Sequence, residues 1–379
     1  MTVKIAPLAA RMLCAGFDGT SVPSEMASLL RAGLGGAVLF ARNIVSPQQV
    51  AELNRSIKQL AREPVMICVD HEGGRVRRLR AGFSSIPSMR ELGRAVIALS
   101  DSDHRLTPEA ISLAHDIGTI IGQEVRAVGF DVDFAPVLDV DSNPANPVIA
   151  DRSLHADPHI VAQLGAALID AIQSEHVAAC GKHFPGHGDT SLDSHHALPR
   201  LEHDLRRLEQ IELAPFAACV HAASMMTSHI VFSHLDPVYP ATLSPRVLQT
   251  LLRDRLGFDG VVFTDDMEMK AIASHFGFDD AVVRAVEAGA DVLTICHHHE
   301  RQLRAIEVLV KAVEAGRLTR ERLERSVARI DRLCARFVRG AEHPINLSVL
   351  NSDDHRRTIE RVTTVTEQAA LDPTEAWQA

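Results

Sequence analysis

The chain has 379 residues, 46% of them hydrophobic and 23% charged, enough to bury a large core as one big domain or two small ones. A formal net charge of −10, dispersed basic residues and a single Trp and Tyr exclude nucleic-acid binding, which needs a basic stripe or a stacking platform. No apolar stretch reaches the length of a membrane helix, and the start MTVKIAPLAARMLCAGFDG lacks the apolar run and small-residue cleavage site of a secretory leader.

A cytoplasmic location, with no membrane partner, is the expectation from that start. Cys14 does not rescue a lipoprotein reading, because Leu13 stands where a small residue is needed. The six cysteines, at 14, 68, 180, 219, 296 and 334, lie in apolar runs and suit buried reduced thiols better than a disulfide framework. Apolar runs recur at residues 36–40, 65–70, 132–136, 177–183, 224–229, 261–265 and 292–296, with helix-like stretches between them. That alternation predicts a mainly parallel sheet wrapped by helices, either a (β/α) barrel or a doubly wound sheet.

In chain order, the first strand end with chemistry is that of residues 65–70. Asp70 stands at its mouth, and HEGGRVRRL follows, with glycines that allow close backbone approach and arginines, Arg78 among them, that can clamp a polar ligand. The Gly-Gly turn lacks the lysine and spacing of a P-loop. The run 177–183 ends in Lys182 and His183 and opens into KHFPGHGDTSLDSH. Pro185, Gly186 and Gly188 make this a loop able to reposition a catalytic group. Within it, Asp193 lies two residues before His195, so a carboxylate can fix one imidazole tautomer and leave the other nitrogen for proton transfer. A metal site and plain loop scaffolding are the competing readings, although no HExxH spacing is present.

Further on, Met225 and Met226 are expected to pack near a strand end, and His229 to make a supporting hydrogen bond or serve as a structural histidine. The segment GVVFTDDMEM places Asp265 and Asp266 at the end of another strand. Neighbouring side chains on an extended chain point to opposite sides, so at most one is expected to face a site. Asp265 is read as the site residue and Asp266 as structural support capping the next helix. His297, His298 and His299 read as surface histidines, since consecutive side chains diverge. From about residue 344 the pattern weakens to one polar amphipathic helix and a stretch with few core-forming residues, which could pack or dangle.

Taken together and in order, VDHEGGRVRRL, DFAPVLDV, DRS, KHFPGHGDTSLDSH, SHIVF and FTDDMEM resemble glycoside hydrolase family 3, specifically its NagZ-type β-N-acetylglucosaminidases, over roughly residues 5 to 340. The resemblance implies a single TIM-type barrel over residues 1–343, a partly helical tail over 344–379 and no second domain. Many members of the wider family continue from a similar SxxHR segment into a further α/β domain that supplies an acid/base glutamate. Here the tail resembles the stub of that connection, and the loop must supply the acid/base group.

The same resemblance implies a retaining mechanism with Asp265 as nucleophile and Asp193 with His195 as acid/base pair. It places sugar binding on Asp70, Arg78, Arg152, Lys182 and His183, with Met226 either touching substrate or simply packing. Truncating Arg78 or Lys182 is expected to weaken catalysis and leave stability nearly untouched. No metal or organic cofactor is called for, and the partner is a small carbohydrate or muropeptide, such as GlcNAc joined to anhydro-N-acetylmuramic acid. A monomer or weak homo-oligomer is expected. Phosphorolysis at the same site, another β-glycoside and non-catalytic sugar binding are the alternatives.

Overall fold

The apolar runs become strands buried on both faces, which is why they read as unbroken hydrophobic stretches rather than alternating ones. The computed structural model describes residues 5–103, 105–190 and 198–371, and among them eight strands share one sheet. These are β1 (Leu13–Ala15), β2 (Gly36–Leu39), β3 (Met66–Val69), β4 (Val132–Asp133), β5 (Ala178–Phe184), β6 (Ser224–Thr227), β7 (Val261–Phe263) and β8 (Leu293–Ile295). All neighbours are parallel, and spatial order follows chain order. Leu13 pairs with Leu293, so β8 lies against β1. Phe263 bridges Val292, and the Asp291 N–H donates to the Val262 carbonyl at 2.8 Å, so β8 also meets β7. The circle is closed, as in a TIM-type barrel; a doubly wound sheet would leave two free edges.

Two early strand ends bear on the mouth of the barrel. β4 stops at Asp133, three residues before Pro136, which has no N–H to continue a ladder. β7 stops at Phe263, so Asp265 and Asp266 lie beyond regular strand geometry.

The helices are α1 (Ile5–Arg11), α2 (Ser24–Ala32), α3 (Pro47–Leu60), α4 (Met89–Ala98), α5 (Pro108–Ala127), α6 (Pro158–Ser174), α7 (Leu205–Gln210) and α8 (Ala214–Ala218). After β7 come α9 (Lys270–Ala273) and α10 (Phe278–Ala288), and after β8 come α11 (His299–Glu314) and α12 (Arg320–Phe337). Many starts are written in the sequence. Ser46, Ser88, Thr107, Asp157, Asp204 and Thr319 each accept an N–H of the following first turn, a contribution of about 1 kcal/mol apiece. The last helix, α13 (Asp353–Leu371), packs across α4 and α5 and buries Val362.

Buried charge clusters staple the N-terminal ends of the strands. Asp131, before β4, accepts from Lys58 at 2.8 Å and Arg126 at 3.1 Å, and Asp291, before β8, accepts from Arg253 at 2.7 Å and Ser326 at 2.7 Å. The opposite face, where barrel chemistry resides, is thereby left to the loops. All six cysteines are buried and free.

Candidate active site

Six strand ends and the loop after β4 converge on a cavity of about 330 Å³ at the C-terminal mouth of the barrel. Asp70, Glu72, Arg75 and Arg78 reach it from the segment after β3, Lys182 and His183 from β5, and Arg152 from the short helical turn Ala150–Arg152. Met226 comes from β6, Asp265 and Asp266 from beyond β7, and Thr294, Cys296 and His297 from the end of β8. Val38, Phe40, Phe134 and Met269 contribute apolar lining.

Buried opposite charges build the polar wall. Lys182, 2% exposed, places its Nζ 2.7 Å from Asp70 Oδ1 and 2.6 Å from Glu72 Oε1. Arg152 grips Glu72 with a two-pronged contact, Nε at 2.9 Å and Nη2 at 2.8 Å. Arg78 lies further out, 3.7 Å from Asp70 Oδ2. Burial alone would raise Glu72, but Arg152 and Lys182 outweigh it and hold the carboxyl far below the usual carboxylate range. Burial would likewise lower Lys182, yet Asp70 and Glu72 hold it above an ordinary lysine. Both charges therefore persist at neutral pH. Truncating Lys182 would take the ammonium partner from buried Glu72 and half-buried Asp70, so the expectation of untouched stability does not extend to this residue.

A second buried carboxylate orients the histidines. Asp139 Oδ2 accepts from His183 Nδ1 at 2.6 Å, and Asp139 Oδ1 accepts the backbone N–H of His187 at 2.7 Å. With Nδ1 donating, His183 presents Nε2 toward the cavity, 3.4 Å from Arg152 Nη2. His187 is buried, and burial, followed by the nearby His183, lowers it to about 4, so it is neutral at pH 7. Asn146 holds the first part of the loop, donating to the His187 and Gly188 carbonyls at 2.8 and 2.9 Å. Gly188 packs so tightly that a Cβ would fall 1.6 Å from the Val140 carbonyl oxygen. Asp193 and His195 lie outside the described residues.

Both carboxylates of the FTDD segment line the cavity. The alternation expected of an extended chain does not apply, because β7 has already ended. Asp265 Oδ1 accepts the N–H of Asp266 at 2.8 Å. Asp266 caps no helix. Its Oδ1 instead accepts the N–H groups of Glu268 and Cys296, at 3.1 and 3.3 Å, while its carbonyl meets His229 Nε2 at 3.0 Å. His229 thus makes the supporting contact anticipated for it. Burial, with Glu268 and Asp265 adding repulsion, raises Asp266 to about 7.

Four residues in or behind the cavity carry no assignment from the sequence. Glu72 could have been found from its spacing, since positions i and i+2 of an extended segment share a side and Asp70 was already in view. Asp139 lies within DFAPVLDV, but nothing local to that motif reveals which histidine it meets across 44 positions of chain. His187 lies in the loop after β5, with nothing in its local sequence to show that it is buried at the cavity. His297 is exposed, as expected of it, yet it also lines the cavity, stacking on Phe40 at 6.0 Å and lying 3.5 Å from Asp266 Oδ2. His298 turns away to Glu268 at 2.6 Å.

Residues 6–333 match the glycosyl hydrolase family 3 N-terminal domain. The β-hexosaminidase of Thiobacillus denitrificans is 43% identical over 280 residues, 73% of this chain and 75% of that protein. A family 3 β-N-acetylglucosaminidase from Paenibacillus sp. superposes with a TM-score of 0.89 at 38% identity, covering 96% of this chain and 69% of that one. NagZ of Neisseria gonorrhoeae, in complex with N-trifluoroacetyl-D-glucosamine, superposes with a TM-score of 0.75 at 31% identity over 94% of this chain and 98% of that one. With the barrel, its mouth and these likenesses in agreement, the chain belongs to glycosyl hydrolase family 3, among its NagZ-type β-N-acetylhexosaminidases.

Proposed function

We propose that this glycosidase releases terminal β-linked N-acetylglucosamine with retention of configuration, Asp265 acting as nucleophile and His195, oriented by Asp193, as acid/base. The observation that carries the reading is the position of Asp265. Its carboxylate lines the same cavity as the ring of Asp70, Arg78, Arg152, Lys182 and His183, and the Asp266 N–H holds one of its oxygens.

In the first step a second Asp265 oxygen attacks the anomeric carbon while His195 protonates the departing glycosidic oxygen. In the second, neutral His195 takes a proton from water, which displaces Asp265, and two inversions restore the starting configuration. Once neutral, an imidazole does not repel the departing carboxylate, which suits it to this step. The charged wall supports recognition of sugar hydroxyls, because a wrongly configured ring would leave buried donors and acceptors unpaired. Met226, Phe134 and Met269 provide apolar surface for the ring face and the acetamido methyl. The family resemblance extends the reading to the aglycone, GlcNAc joined to anhydro-N-acetylmuramic acid, with or without peptide.

The test compares p-nitrophenyl β-GlcNAc with the matching glucoside, with and without phosphate. Turnover of the GlcNAc substrate, unchanged by phosphate, is expected. Preference for the glucoside, or turnover that requires phosphate, would refute the assignment.

A further inference from the structure

The segment that carries Asp70, Glu72, Arg75 and Arg78 into the cavity has little structure of its own. Its hairpin pairs His71–Gly73 with Val76–Arg77, too short to hold a shape unaided. Support comes from the returning chain. The Gly74 N–H donates to the Ile86 carbonyl at 3.1 Å, and a Cβ on Gly73 would lie 2.4 Å from the Pro87 carbonyl oxygen, so a movement of residues 84–88 is transmitted to residues 70–74.

That returning stretch is in turn anchored to α5. Ser84 donates through its N–H to Glu124 Oε2 at 2.8 Å and through its hydroxyl to Glu124 Oε1 at 2.5 Å. Glu124 is fully buried, and its remaining donors come from the C-terminal segment. The Asn351 N–H lies 2.7 Å from Oε1, and His355 Nδ1 lies 2.9 Å from the same oxygen. His355, itself buried, meets Gln123 Oε1 through Nε2 at 3.0 Å. Burial would push Glu124 up, but hydrogen bonds from His355, Ser84 and Asn351 outweigh it and keep the carboxyl ionised. One buried carboxylate thus joins the cavity arm to the tail.

We propose that His355 and Asn351 are positioning residues for the sugar-binding arm, acting through Glu124 on Ser84 and so on Asp70 and Arg78. This rests on the glycosidase reading above. Losing the His355 donor leaves this buried carboxylate under-satisfied, which favours protonation or a change in its orientation, and each outcome disturbs the bonds to Ser84. The C-terminal segment then tunes affinity for the sugar without touching it.

The experiment uses the full chain with His355→Ala, Ser84→Ala, the double variant, and His355→Asn, which restores an N–H donor. KM for the aryl β-GlcNAc substrate should rise about fivefold or more in either alanine variant while kcat changes less than about twofold. Affinity for free GlcNAc should fall in parallel. His355→Asn should recover most of the loss, and the double variant should be no worse than the poorer single one, because both cut the same connection. Unchanged KM in both alanine variants, or losses that simply add, would overturn the proposal. If His355→Ala does not fold, Ser84→Ala decides alone, since it leaves the tail in place, and a wild-type KM there overturns the idea. A wild-type chain that cannot turn over β-GlcNAc refutes the glycosidase reading only, and the GlcNAc affinities still decide this one.

Discussion

Lys182→Ala should damage stability and catalysis together, whereas Arg78→Ala should damage catalysis almost alone. Lys182 is 2% exposed and bridges Asp70 and Glu72 at 2.7 and 2.6 Å, so its removal leaves Asp70 without its near partner. Breaking a buried pair costs about 3–5 kcal/mol, and the lower end applies because Arg152 still grips Glu72. At about 2.1 cal/mol/K per residue, 379 residues give an unfolding entropy of roughly 0.8 kcal/mol/K, so about 3 kcal/mol lowers Tm by roughly 4 °C. Arg78 is 29% exposed and 3.7 Å from Asp70, a pair worth at most about 1 kcal/mol and roughly 1 °C.

Calorimetry at pH 7 reads this difference inside the window where both buried charges contribute. Glu72 is lowered, so its contribution is present above its unfolded value near 4.3 and lost as pH falls through its folded value. Lys182 is raised, so its contribution is present below about 10.4 and lost as pH rises through its folded value. Both variants should lose at least about tenfold in kcat/KM for β-GlcNAc, roughly 1.4 kcal/mol of transition-state stabilisation. Equal Tm shifts in the two variants would refute the burial argument. A destabilised Lys182→Ala with wild-type kinetics would refute the sugar-binding assignment.

Asp265→Asn should nearly abolish turnover while preserving fold and sugar binding, since the amide cannot form the glycosyl ester; a slow fluoro-glycosyl donor that labels Asp266 instead would show that the wrong carboxylate was chosen. His195→Ala should impair substrates with poor leaving groups far more than activated aryl ones, with Asp193→Asn milder in the same sense, and equal losses across a leaving-group series would remove the general-acid role. Activity should survive EDTA, and a loss restored by zinc would revive a metal reading of that loop. Asp266, raised to about 7, favours the folded state only while protonated, so its contribution is present below about pH 4 and is lost as pH rises to about 7. Asp266→Asn keeps the acceptor oxygen and should gain on wild type by roughly 1.4 kcal/mol per pH unit across that window; a pH-independent difference would sink the argument.

The sequence by itself determined the parallel sheet, because strands buried on both faces must be apolar throughout, and the helix starts, because Ser, Thr and Asp caps act within a single turn. Asp70, Lys182, His183 and Asp265 were legible for the same local reason: each is a polar residue that ends an apolar run. Arg152 and Met226 lacked such a signal and were reached only through family resemblance. Closure of the sheet was a tertiary decision, resting on the meeting of Phe263 with Val292 and of Leu13 with Leu293, pairings that no local pattern encodes. So were the partnerships that set the charges of the cavity and of the arm that supports it. Glu72 meets Arg152 across 80 positions of chain, His183 meets Asp139 across 44, and Glu124 meets His355 across 231. A pKa follows from burial and from which charges lie within a few ångströms, and those distances exist only once the barrel has brought separate strand ends to one mouth.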